Sequence, residues 1–335
     1  GGGRHRLGAM KPTDRSFSPA PHRRQVLATA SLPADTPDLA RALAAALGPG
    51  PFALVILLAS PLADPHALVA EMQAGLAGVE VIGCTTAGEI SAAGYVEGNV
   101  VAIGLPRALF LAEVVLIPDL GTFDRDALIG ALIRARAALE QGRPGWDNEF
   151  AFLMVDGLSA KEDELTSALA SGLGPVPLFG GSAADGTRFL ETFVLHGGRA
   201  LRNAAALAFL RTACPVRVFN IDQLRPTGTR MVVTEADPAR RIVRRINAEP
   251  AAREYARLLG KDPTQLTPFT FAAHPVVVRF GGRHHVRAIR QVADNGDLIF
   301  YSAIDEGLVL TLAEPRDMVG HLAEELGSLA RPRAP

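Results

Sequence analysis

The chain has only two cysteines, Cys84 and Cys214, in 335 residues. Two thiols exclude a disulfide framework. No Cys-x-x-Cys is present to hold zinc or to attach a c-type haem covalently. Long apolar runs are also missing. The longest, "FALVILLA" at Phe52–Ala59, falls far below the ~18–20 residues that a membrane span needs. It reads as a buried strand. Charge of one sign is not in excess, since Lys+Arg is 34 against Asp+Glu 35, a net charge of -1. That leaves no whole-chain argument for nucleic acid or for an anionic membrane surface. There is no Gly-Lys-Ser/Thr phosphate loop and no Gly-x-Ser-x-Gly elbow. No kinase, cyclase or DNA-binding motif is fused to the chain.

The start, "GGGRHRLGAM", has the composition of a vector-derived leader before Met10. No secretory apolar segment follows it, so residues 1–22 are set aside. The tail "SLARPRAP" reads as frayed. A reducing, cytoplasmic setting is expected, with no membrane and no nucleic-acid partner. A 48% hydrophobic and 21% charged composition is ordinary for a globular protein. The length suggests roughly two domains.

Periodicity predicts a strand over Arg24–Leu32, a helix over Asp35–Leu47 and the buried strand Phe52–Ala59. A helix over Pro65–Leu76 and a strand over Val79–Ile82 follow, then the loop "GCTTAGE". "GNVVAIGL" and "LFLAEVVLI" look like hairpin strands. The pattern then recurs. "FAFLMVDGLS" echoes "FALVILLAS", and "VPLFGGSAADG" echoes "VEVIGCTTAGE". Phe52 and Phe150 are 98 positions apart, and Gly83 and Gly180 are 97 apart. Two anchors agreeing within one position argue for duplication of a β–α–β–loop unit. From about Val216 the texture changes. "RIVRRINAEPAAREYARLLG" predicts a helical pair broken at Pro250, with its arginines on a solvated face. Short strands separated by Gly-Gly, Asn-Gly and Glu-Gly turns follow, then a last helix over Arg316–Leu329. The expected fold class is α/β: duplicated β-α-β sheet units, then a smaller β-rich α+β domain. The expected boundaries are 23–213 and 214–330.

The first loop invites three readings. A catalytic Cys84 needs a neighbouring His, Lys or Arg, or a helix N-terminus, to form a thiolate. None is close in sequence, and the echo places Gly181 where Cys84 stands. An enzyme using Cys84, Asp156 or Asp185 is therefore the weakest reading. A structural reading makes the small residues a means of close strand approach. A binding reading places both loops at one crevice, at the carboxyl ends of parallel strands. Gly83, Cys84, Thr85, Thr86 and Glu89 from one copy would then meet Gly180, Gly181, Ser182 and Asp185 from the other. Such a set suits a small polar ligand such as an amino acid.

The combination "VIGCTTAGEI…GYVEGNVVAIGL" with "LFGGSAADG…FLETFVLHGG…NAAALAFL" resembles the N-terminal FIST domain. "INAEPAAREYARLLG…HPVVVRFGGRHHVRAI…DNGDLIFYSAIDEGLVLTLAEP" resembles the C-terminal FIST domain. The resemblance spans Arg24 to Leu322. It implies a non-enzymatic sensory module that binds a ligand and signals to a partner. The segment "HPVVVRFGG…VRAI…FYSAIDEGLVLTLA" is similar to the NosP branch of haem-binding nitric-oxide sensors. That similarity implies a b-type haem, NO as input, and a histidine kinase or a cyclic-di-GMP enzyme as partner. It also leaves room for a homodimer.

Haem without a covalent motif needs a side-chain ligand, most often His, in an apolar pocket. His274, in "FTFAAHPVVV", is the first candidate metal ligand. Phe269, Phe271, Val276 and Val277 are its expected wall, and Pro275 fixes the chain just after it. His285 is the second candidate. His284 and His285 are consecutive, so a regular strand would point them to opposite faces. Arg279 and Arg287 are candidates for haem propionates. His196 and His66 read as turn and helix-start residues. Asp305 and Glu306 in "AIDEG" read as a turn.

Overall fold

The structure is a computed structural model and describes residues 26–186 and 188–329. The expected leader, 1–22, Arg24 and Gln25 of the expected first strand, and residues 330–335 of the expected frayed tail lie outside these residues.

The first unit contains β1 (Ala28–Pro33), α1 (Leu39–Leu47), β2 (Phe52–Ala59), α2 (Pro65–Gly75) and β3 (Glu80–Thr85). A small hairpin, β4 (Glu89–Ser91) and β5 (Gly94–Val96), leads to β6 (Asn99–Pro106). The second unit contains β7 (Phe110–Ile117), α3 (Arg125–Gly142), β8 (Asn148–Asp156), α4 (Glu162–Leu173) and β9 (Leu178–Ala183). The hairpin β10 (Val194–His196) and β11 (Arg199–Leu201) leads to β12 (Ala205–Thr212). Strand order is β1-β6-β2-β3 in one sheet and β7-β12-β8-β9 in the other. The two orders are the same, and in each the central β-α-β pair is parallel. The duplication is thus a duplication of topology.

Each sheet buries both faces, so its strands are continuously apolar rather than alternating. Val55, Leu57 and Ala59 of β2 pack with helices α1 and α2. Leu54 and Ile56 of the same strand pack instead with Met154, Ala208 and Leu210 of the other sheet. Leu153 and Val155 of β8 pack against α3 and α4. The result is four layers, helices outside and two sheets within. "GNVVAIGL" and "LFLAEVVLI" are therefore not a hairpin. β6 pairs with β1 and β2, whereas β7 pairs with β12 across the layer.

One asymmetry breaks the repeat. The second unit's hairpin does not stay with its own sheet. β10 adds to the first sheet, antiparallel to β3, with Val194 opposite Cys84. The first unit's hairpin forms its own two-stranded sheet. Strand β9 therefore ends its sheet, and Phe179, Gly180, Gly181 and Ser182 are exposed along it.

The third sheet begins with β13 (Leu224–Asp237), β14 (Ile242–Ile246) and β15 (Glu249–Pro250). Helices α5 (Ala251–Leu258) and α6 (Pro268–Ala273) follow. Then come β16 (Val276–Phe280), β17 (Arg283–Arg287), β18 (Ile289–Val292), β19 (Leu298–Phe300), β20 (Val309–Pro315) and α7 (Met318–Leu329). Strand order is β17-β16-β20-β13-β14-β19-β18, with β15 on β14. Buried Tyr255 and Phe271 pack this sheet's core against α5 and α6. The expected helical pair is half wrong. "IVRRI" is strand β14, and only the part after Pro250 is helical. Its arginines reach across the ladder, Arg245 to Glu235 at 3.2 Å and Arg244 to Asp237 at 3.6 Å.

Candidate functional site

The first expected loop starts later than its composition suggested, because β3 runs on through Gly83, Cys84 and Thr85, as β9 does through Gly180–Ser182, and the two strand ends share a steric demand. A Cβ at Gly83 would run into the Leu57 carbonyl oxygen, and one at Gly180 into that of Leu153. Only glycine fits where the neighbouring backbone comes this close. Beyond the glycines the polar side chains are largely consumed. Thr85 is buried; its hydroxyl accepts from the Phe193 N–H at 3.0 Å, and its carbonyl accepts from Ala184 N–H at 2.9 Å. Buried Glu89 accepts the Thr86 hydroxyl at 2.6 Å and the Asn99 N–H at 3.2 Å. Buried Asp185 accepts the backbone N–H groups of Phe189, Leu190 and Glu191. Burial pushes the Asp185 carboxyl up, but these three donors and nearby Arg188 outweigh it and hold it below the usual range. Asp156 likewise accepts the Thr192 hydroxyl and the Leu158 and Asn203 N–H groups. Thr85 laces the two units together, whereas Glu89 ties down the first unit and Asp185 and Asp156 the second.

Cys84 sits in the layer between the sheets, paired with Leu58 and Val194. Burial pushes its thiol up to about 12, which disfavours the thiolate a nucleophile needs.

Gly180, Gly181 and Ser182 have a different surrounding. With Phe179 they line one side of a groove of about 1340 Å³. Leu153 and Val155 form its floor, and Glu162 and Thr166 of α4 its end. Across it stand the connecting segment Arg217–Asn220 and the hairpin tip Gly282–His285. The open edge of β9 thus faces β17, itself the end strand of the third sheet. An ion pair fixes the two sides. Arg241 meets Glu162 at 2.7 Å and also donates to the Tyr301 carbonyl. Beside it, Arg290 lies 4.4 Å from the Phe189 ring centroid, and Phe189 packs on Tyr301.

The histidines separate. His285 and His284 both line the groove, from the edge strand β17. His274 follows α6, where its carbonyl accepts the Tyr255 hydroxyl at 2.5 Å. The wall expected around His274 is not assembled. Phe269 is 83% exposed, Phe271 and Val276 are spent in the core of the third sheet, and Val277 is buried on the other face of β16. Arg279 stands opposite His284 in the ladder and Arg287 opposite Val276, and neither lines the groove. The cations that do are Arg217 and Arg283. His196 donates to Glu80 at 2.6 Å and draws its carboxyl below the usual range. Glu306 accepts the Ala236 N–H at 3.1 Å, next to the Glu306–Gly307 turn. Arg217, Phe219 and Glu162 were not foreseeable from any local motif, because three distant segments assemble this groove.

A second cavity, about 520 Å³, opens between the two sheets beside the groove. Ile56, Leu58, Ile103, Phe152 and Leu210 line its interior, and Phe179 with Arg217–Phe219 belongs to both cavities. Among the described residues no three His, Cys, Asp or Glu side chains cluster as a metal site, and no helix is long and apolar enough to cross a membrane.

No curated protein sequence matches the chain. The profile of the FIST N domain matches residues 53–249, and that of the FIST C domain matches 251–334. The division at 249/251 falls after β14, whereas the third sheet starts at Leu224. With both domains matched in order over most of its length, the chain belongs to the FIST family, whose domains are sensory, small-ligand-binding modules of signal transduction.

Proposed function

We propose that this protein is a non-enzymatic sensor whose ligand lies in the groove between the open edge of β9 and the hairpin β16–β17. One observation carries the reading. The groove joins an unpaired strand edge of the second unit to imidazole and guanidinium side chains of the third sheet. A ligand touching both sides would bias their relative arrangement, and a partner would read that shift. The burial of Cys84 argues against a nucleophile at that position.

Haem b is the first ligand to test, with NO as the input. Phe179 and Phe219 offer apolar surface, and Arg217 and Arg283 suit propionates. His285, or its neighbour His284, would be the axial base; the surroundings of His274 favour it less. Bound there, the iron would supply the diatomic-gas site. The output would pass to a histidine kinase or a cyclic-di-GMP enzyme. Purified protein titrated with haemin is expected to develop a Soret band that shifts with NO. No Soret change on titration would remove haem.

The open backbone at Gly180–Ser182, with Asp222 nearby, favours a second reading. Those groups would hold the ammonium and carboxylate of a small polar metabolite such as an amino acid. Thermal shifts with a panel of amino acids, without haemin, test it; no stabilisation by any would remove it.

A further inference from the structure

The cavity between the two sheets has a chemistry of its own. Alternation in β2 and β8 turns Ile56, Leu58 and Phe152 away from the helices and into it. Its volume, about 520 Å³, falls within the range of small-molecule sites. Apolar side chains line nearly all of it, so it suits a hydrocarbon and not a hydrated group. At its mouth stands Arg217, exposed; among the described residues it makes a 3.4 Å contact to the Ser328 hydroxyl and a stack on Phe219. No carboxylate pairs with it among the described residues. Glu162, in the adjoining groove, is held by Arg241, and Asp222 accepts the Leu224 N–H.

We infer that the space between the sheets binds the chain of a single-tailed fatty carboxylate, whose head group meets Arg217. The tail lies among Ile56, Leu58, Ile103 and Leu210, and the segment Arg217–Phe219 closes over it. That segment also walls the neighbouring groove. Acyl binding therefore changes the groove's affinity for its own ligand, and the reverse follows by linkage. Acyl binding goes beyond the groove reading and stands without it; the linkage between the two sites rests on that reading.

The test uses the full chain and a dansyl-labelled fatty acid, displaced by decanoate or by decanol. Decanoate is expected to displace the probe, and decanol about fivefold less well, the contribution of one exposed ionic contact. Arg217→Gln should erase the difference between the two competitors. Leu58→Trp fills the cavity and should weaken both by roughly tenfold or more. Val218→Trp, on the connecting segment and outside either sheet, repeats the test where the core is untouched. Absence of probe fluorescence, or displacement unchanged in both tryptophan variants, overturns the site. Equal displacement by decanoate and decanol overturns the fatty carboxylate. No haemin enters these measurements, so their failure and that of the haem reading are told apart. In Leu58→Trp the haemin titration should stay as in the parent protein.

Discussion

The guanidinium of Arg241 lies 2.7 Å from the carboxylate of Glu162 and joins the third sheet to the first turn of α4. Both side chains are largely buried, 13% and 23% exposed. Removing one partner strands the other in a poorly solvated place. Arg241→Ala is expected to lower stability by about 2 kcal/mol, and a double-mutant cycle with Glu162→Gln should give a coupling of roughly 1–3 kcal/mol. Denaturant melts measure both. A coupling near zero would mean that the groove's walls are held by other contacts.

The two glycines of β9 should behave differently. A Cβ at Gly180 meets the Leu153 carbonyl, whereas one at Gly181 meets nothing within 4 Å. Gly180→Ala is expected to destabilise by about 1–3 kcal/mol, as overpacking does. Gly181→Ala should stay within about 0.5 kcal/mol of the parent. Gly83→Ala should repeat the result of Gly180→Ala, since Leu57 stands where Leu153 does. Thermal unfolding of the three variants decides it.

Thiol labelling of the native protein at neutral pH should modify Cys214 first and leave Cys84 unmodified. Cys84 is buried and its thiol is pushed up to about 12, whereas Cys214 is partly exposed. Cys84→Ser should leave ligand binding within about twofold, at a stability cost of ~1–2 kcal/mol for the buried hydroxyl. Rapid labelling of Cys84 would revive a nucleophile there.

Asp185 gives the fold an acid-sensitive joint. Its folded carboxyl lies below the unfolded value of 3.8. The stabilisation is thus present above that value and is lost as pH falls through the folded one. The parent protein should therefore lose stability as pH drops below about 4. Asp185→Asn should be less stable by ~1–2 kcal/mol at neutral pH and lose less on acidification. Melts across pH check the slope.

The duplicated half was legible because strands buried on both faces are unbroken apolar runs, and because Gly83 and Gly180 answer the same steric demand. "IVRRI" misled because paired arginines resemble a solvated helix face, although Glu235 and Asp237 meet them across a ladder. Thr85, Glu89 and Asp185 have the chemistry of ligand contacts, but within the fold their polar atoms already have protein partners. Their donors and acceptors lie at Phe193, Asn99 and Phe189–Glu191, and nothing in the loops' own composition names those partners. The groove was illegible for the same reason, since Phe179, Arg217 and His285 meet only through the tertiary fold.

Hydrogen exchange on the full chain, free and loaded with haemin, tests the location of the ligand most directly. The account predicts slowed exchange at 178–182, 217–222 and 283–285, with 268–274 unchanged. Protection confined to 268–274, with none along the groove, would contradict it.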